Sequence, residues 1–308
     1  MSSSTRYHGV IPPVITPRAS DGSIDTRSLE RTVEHLLTGG VDGLFILGSS
    51  GEVPYMTGFE RDQVVKIVTS AAAGQVPVLA GANEQTTARV IEEGQRAVAQ
   101  GVEALVVTSP YYALPNEQET ESHFRAVAAA VGVPVFAYDV PVRTHYKLST
   151  SMLVRLGTDG VLAGVKDSSG DDVAFRELVL AARNIPGFDI FTGHEVVADG
   201  ALLGGADGVV PGLGNVDPAG YARMYAASVR GDWNAVKAEQ DRLADLFRIV
   251  YAPTPGRVSG GAAGLGAFKT ALVLMGIIST NTMSVPMLAL NDEETLTIRN
   301  ILEQAGLL

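Results

Sequence analysis

The chain of 308 residues contains no cysteine, which excludes disulfides, thiolate metal ligands and cysteine nucleophiles together. Positive charge is also short, with 23 Lys and Arg against 34 Asp and Glu and a formal net charge of -11. Nucleic-acid grooves and anionic membrane surfaces select for Lys/Arg patches, so neither is an expected partner. The five histidines, His8, His35, His123, His145 and His194, form no metal-spaced cluster, and no metal is expected. Long apolar runs are missing too: Ala271 to Ile278 falls well short of the ~20 residues a bilayer requires. Met1-Ser2-Ser3-Ser4-Thr5 lacks the apolar core of a secretory signal, so a soluble cytoplasmic protein is expected.

What remains is a composition of 46% hydrophobic and 19% charged residues, that of a globular chain with a substantial core. Short apolar runs alternate with helical patterns from Gly9 onward. Strands are expected within Gly9 to Thr16 and over Val41 to Leu47, Val76 to Ala80, Val102 to Thr108, Val133 to Tyr138, Val161 to Lys166, Phe188 to Thr192 and Asp207 to Val210. Gly40, Gly101 and Gly205 recur where a helix stops and a strand begins. Eight such units suggest a (β/α)8 TIM barrel; a doubly wound open sheet alternates similarly and is the less favoured alternative. After Gly231 the strand signals stop, and helices are expected near Asp232 to Tyr251, Ala262 to Ile278 and Asp292 to Gln304. The expected division is a catalytic barrel over 1–231 and a C-terminal helical domain over 232–308.

In a parallel barrel the active site gathers at the carboxyl ends of the strands. Lys166 stands there, closing the apolar run Val161-Leu162-Ala163-Gly164-Val165. A free lysine with pKa ~10.4 is only about 1 part in 2,500 neutral at pH 7, and burial supplies the bias of roughly 4 to 5 kcal/mol that a nucleophilic amine needs. Tyr138 ends the fifth run and is a candidate proton relay. Ser49 and Ser50, with the Gly51 amide, offer a compact set of donors for a carboxylate. Amine, phenol and hydroxyl pair suit Schiff-base chemistry on a 2-oxo acid. Strand alternation turns Asp167 away from Lys166, so it does not simply neutralise the amine. The segment Gly212-Leu213-Gly214-Asn215-Val216-Asp217 breaks the dinucleotide fingerprint at its last place, and no cofactor is expected.

Gly48-Ser49-Ser50-Gly51-Glu52, Pro110-Tyr111-Tyr112, Tyr138-Asp139-Val140-Pro141 and Gly164-Val165-Lys166-Asp167 together resemble the dihydrodipicolinate synthase / N-acetylneuraminate lyase family of pyruvate-dependent class I aldolases. The resemblance spans essentially the whole chain. It implies a barrel with a C-terminal helical domain, a homotetramer built from two tight dimers, and pyruvate plus an aldehyde as substrates. By the same resemblance Lys166 is the Schiff-base lysine, Tyr138 the acid/base tyrosine, and Ser49 and Ser50 the carboxylate-binding, proton-relaying pair. Tyr112 is the tyrosine that reaches a neighbouring subunit's site.

Arg143 matches the synthase arginine that grips the second substrate, aspartate semialdehyde, and its fork suits a carboxylate. Two features depart from the synthase pattern, His145 where Arg-Thr-Gly is usual and Ser49-Ser50 where Thr-Thr is usual. Ser168 and Glu195 fit the sialic-acid lyase pattern, whereas Val196 and Gly212 stand where such enzymes carry further polar groups, so a shorter 2-oxo acid with a second anionic group and a 2-keto-3-deoxy sugar acid are further alternatives. The expected substrate-binding set is Ser50, Gly51, Arg143, Ser168, Glu195 and Val210. A rival of another class is a catalytically silent barrel that binds a small acid. Glu52 is read as bracing its turn.

Overall fold

The computed structural model describes residues 7–308; the Met1–Thr5 segment considered above lies outside them. Its strands are β1 (Gly9–Val10), β2 (Leu44–Ile46), β3 (Val78–Gly81), β4 (Ala104–Thr108), β5 (Val135–Asp139), β6 (Gly164–Asp167), β7 (Asp189–Thr192) and β8 (Gly208–Val209). Helices α1 (Thr26–Thr38), α2 (Gly58–Ala72), α3 (Thr87–Val98) and α4 (Glu117–Val131) separate the first five strands. Next come α5 (Pro141–Thr144), α6 (Thr150–Thr158), α7 (Asp172–Ala182), α8 (Ala198–Gly204) and α9 (Pro218–Val229). The chain closes with α10 (Trp233–Phe247), α11 (Gly260–Leu274) and α12 (Asp292–Gln304).

All strands are parallel, and each pairs with its neighbour in sequence from β2 to β8, while β8 pairs with β1. A parallel bridge between Pro13 and Phe45 joins the segment after β1 to β2. There the Phe45 amide donates to Pro12 and the Val14 amide to Phe45, at 3.0 and 2.8 Å. This is the arrangement of a TIM barrel.

Several strands begin later than their apolar runs, for a local reason. The first residues of each run still finish the preceding helix: Val102 donates to the Ala97 carbonyl and Val161 to that of Leu156. In the first run Pro12 and Pro13 supply no N–H, so the ladder stops at Val10.

Alternation sorts the side chains into two cores. Leu44, Ile46, Ala137, Val165 and Ile190 face the helices, whereas Phe45, Tyr138 and Phe191 fill the barrel interior with Ile11, Val106 and Val210. The apolar faces of α10, α11 and α12, including Val236, Leu243, Leu272 and Ile298, join the outer core rather than forming one of their own. Each fully buried side chain of this kind contributes about 1.5–3 kcal/mol relative to exposure.

Candidate active site

Register brings the principal groups together. Tyr138 and Lys166 are paired positions of β5 and β6, and Lys166 is in turn opposite Phe191 of β7. All three therefore point inward at one level. The Lys166 amine lies 4.2 Å from the centroid of the Tyr138 ring and 4.8 Å from that of Phe45. Phe45 meets Tyr138 edge to face at 6.3 Å, and Ile11, Phe136 and Val210 complete an apolar floor beneath the amine. Val210, expected to touch substrate, is thus part of this floor, at 6% exposure.

No carboxylate among the described residues lies within ion-pair distance of Lys166. Asp167 turns the other way, as alternation requires, accepting from the Ser169 amide at 2.7 Å and from Lys147 at 3.3 Å. Lys147 also pairs with buried Asp139. Sequence reading did not single out Lys147, which clamps two acidic strand ends directly behind Tyr138 and Lys166.

The Tyr138 phenol is buried, and Lys166, Ser49 and Ser168 are the groups that act on it electrostatically. Burial pushes its pKa up, but the Lys166 charge and the polar Ser49 and Ser168 side chains outweigh it and hold the phenol below the ordinary tyrosine value. One hydroxyl thereby feels the amine, the turn after β2 and the loop after β6.

The turn after β2 is held in an uncommon backbone. Leu47 and Glu52 both take left-handed conformations, with φ of 53° and 63°. Gly48 is required by close approach, because a Cβ there would stand 2.7 Å from the Phe45 ring. Gly51, expected as an amide donor to substrate, instead gives its N–H to the Gly48 carbonyl at 3.1 Å, closing the turn. The Ser49 and Ser50 side chains stay half-buried at its surface.

Glu52 braces this turn from a distance. Fully buried, it pairs with the equally buried Lys269 of α11 and accepts from the Ser284 amide at 3.0 Å. Lys269 was not read as functional, although a lone lysine within Gly266-Ala267-Phe268-Lys269-Thr270-Ala271-Leu272 is a visible signal.

A cavity of about 200 Å³ opens above Tyr138, bounded by Ser49, Thr108, Tyr111, Arg143 and the start of α11. Arg143, on the single turn α5, lies against α11: a Cβ on Gly261 would stand 3.0 Å from its guanidinium. Glu195 is directed to the Gly212 amide at 3.0 Å, and burial pushes its carboxyl above the usual range. Tyr112 is 89% exposed, with φ of 75°, and is not among the residues that line its own chain's cavity. His145 is exposed beyond α5, while His194 borders a separate cavity between α7 and α8. No group of three or more His, Asp or Glu among the described residues is placed to hold a metal ion, and no described helix is long and apolar enough to cross a membrane.

Residues 6–305 match the model of the Dihydrodipicolinate synthetase family. The chain belongs to this family. It is 34% identical over 271 residues to the 4-hydroxy-tetrahydrodipicolinate synthase of Phenylobacterium zucineum, covering 86% of this chain and 90% of the relative. To that of Thioalkalivibrio sulfidiphilus it is 32% identical, covering 98% of both. Among solved structures it resembles YagE, a prophage protein of the dihydrodipicolinic acid synthase family from E. coli K12 in complex with pyruvate. The TM-score is 0.91 at 27% identity, over 98% of this chain and 99% of the other. Membership in the dihydrodipicolinate synthetase family makes the chain a pyruvate-dependent lyase or synthase of the class I aldolase type.

Proposed function

We propose that the Lys166 amine attacks the 2-oxo carbon of pyruvate. The carbinolamine so formed loses water to give an iminium, and removal of a C3 proton yields the enamine that adds to an aldehyde. Run in reverse, the same steps cleave the adduct. Tyr138 carries protons to and from the substrate oxygen, Ser49 connects it to the turn, and Ser49 and Ser50 hold the pyruvate carboxylate. The observation that carries this reading is the Lys166–Tyr138 register pair, with the amine 4.2 Å from the ring centroid and no carboxylate among the described residues to neutralise it.

Arg143 is assigned to an anionic group of the second substrate, as in the resemblance to 4-hydroxy-tetrahydrodipicolinate synthase. Glu195 supports that reading over a sugar acid, since its carboxylate accepts from the Gly212 amide. Tyr112, exposed and outside the cavity lining, is assigned to the site of a neighbouring subunit in a homotetramer, a dimer of dimers. Residues 1–231 serve as the catalytic barrel and 232–308 as a C-terminal helical domain of a cytoplasmic enzyme.

The test that separates this enzyme from a silent acid-binding barrel is exchange of the pyruvate methyl protons in D2O. An enamine exchanges them without any aldehyde present, so the methyl proton signal decays in the presence of the protein and persists with Lys166→Ala. A signal that decays no faster than in buffer contradicts the proposal.

A further inference from the structure

We infer that Thr108 binds the acceptor-derived oxygen, its hydroxyl donating to the alkoxide that forms when the enamine adds to the aldehyde. This deepens the reading above and rests on it. Thr108 ends β4 and is the register partner of Tyr138, itself the partner of Lys166, so the three lie side by side on consecutive strands at one level. Ala104 and Val106 of the same strand belong to the barrel interior, and alternation turns Thr108 the same way. The Lys166 amine leans along this row toward Tyr138, and Thr108 stands one strand beyond, an inter-strand step of about 4.8 Å.

The Thr108 side chain is buried at 6% exposure, and its Oγ1 has no hydrogen-bond partner among the described residues. Such a group costs the fold free energy, and valine, of the same shape without the hydroxyl, would not. The position is nevertheless well fixed. The Thr108 amide donates to Oδ1 of buried Asn83 at 2.9 Å, and a β-branched side chain has few rotamers. Thr108 also lines the cavity above Tyr138, whereas Ser109, likewise buried and without a partner, does not. A fixed and unpaired hydroxyl in the wall of the acceptor cavity is matched to an oxygen whose charge develops there only during turnover.

The two hydroxyls of the row then divide the work. Tyr138 serves the oxygen that leaves pyruvate C2, next to Lys166, and Thr108 the oxygen that the acceptor keeps. Enamine C3 bonds to the aldehyde carbon, the carbonyl π pair moves to oxygen, and the alkoxide accepts from Thr108 until it takes a proton from water. Thr108 keeps its own proton throughout. The hydroxide left by that water adds to the iminium, and the carbinolamine collapses to the 4-hydroxy-2-oxo acid and the free Lys166 amine.

Two rates on the intact protein test this. One is exchange of the pyruvate methyl protons in D2O, which stops at the enamine; the other is pyruvate consumption with the best used of aspartate semialdehyde, glyceraldehyde and N-acetylmannosamine. Thr108→Val is expected to exchange at the wild-type rate but to consume pyruvate about 10²-fold more slowly, the cost of losing one oxyanion donor, with a melting midpoint no lower than wild type. Thr108→Ser should recover most of the loss, and Ser109→Ala should change neither rate. Undiminished consumption by Thr108→Val overturns this inference, as does a loss shared equally by exchange or accompanied by a lower midpoint. Wild-type exchange without consumption of pyruvate with any of the three aldehydes also overturns it, since no acceptor oxygen is then formed. Absence of exchange in the wild type overturns the reading beneath it.

Discussion

Tyr138 and Lys166 occupy paired positions on adjacent parallel strands, and the amine of one lies 4.2 Å from the ring centroid of the other. The ring packs against Phe45, and the proposed function gives the hydroxyl a chemical role toward Lys166. Tyr138→Phe separates them, keeping the ring while removing the hydroxyl on which Lys166, Ser49 and Ser168 act. We expect kcat to fall by about 10²–10⁴, the usual worth of a positioned acid/base group, with little change in thermal midpoint. Initial rates alongside a melting curve check this, and an unaltered kcat would remove Tyr138 from the proton relay.

Glu52 and Lys269 form a fully buried ion pair between the hydroxyl turn and α11. Lys269→Met strands the carboxylate, with only Arg18 nearby at 3.9 Å. Breaking such a pair costs about 3–5 kcal/mol, whereas replacing both members is far milder. Urea unfolding should show that loss in Lys269→Met and recovery of most of it in the double variant with Glu52→Gln. Equal instability of both variants would show that the pairing is not what holds the turn.

Acid should weaken the fold through His123. Buried on α4 and bonded through Nδ1 to Thr87 at 3.0 Å, this imidazole has its pKa lowered by burial to about 4 from 6.5. The unfolded chain then binds the proton more readily than the folded one. The contribution is complete above pH 6.5 and is lost as pH falls from there through about 4, reaching ~3 kcal/mol. His123→Gln should flatten the melting temperature across that window; an unchanged slope would assign the acid sensitivity elsewhere.

Lys147 holds Asp139 and Asp167 together at the ends of β5 and β6. Burial and the Asp167 charge raise the Asp139 carboxyl to about 6 even with Lys147 beside it. Without that cation, two carboxylates face each other unless one is protonated. Lys147→Met should accordingly destabilise the protein more at pH 8 than at pH 5, and the same penalty at both would contradict the clamp.

Much of this was legible locally. Lys166, Tyr138 and Ser49 were singled out because each ends or follows an apolar run, and parallel barrels gather strand ends at one rim. The opposite facing of Asp167 followed from alternation alone. The Glu52–Lys269 pair joins positions far apart in sequence, and no local pattern tells which buried lysine meets which buried carboxylate. Lys147 was missed because it lies in a loop between strands, outside any run. Leu265 of α11 and Met287 of the segment between α11 and α12 were missed because the C-terminal part lacks strand signals and was read as an appendage, although both line the cavity. Gly51 differed for a geometric reason: in so tight a turn its amide is needed by the Gly48 carbonyl.

The central claim is that pyruvate becomes covalently attached to Lys166. Incubation with pyruvate and borohydride, followed by intact-mass and peptide analysis, should give one reduced adduct per chain, located on Lys166 and missing from Lys166→Ala. No adduct, or an undiminished adduct in Lys166→Ala, would contradict the account.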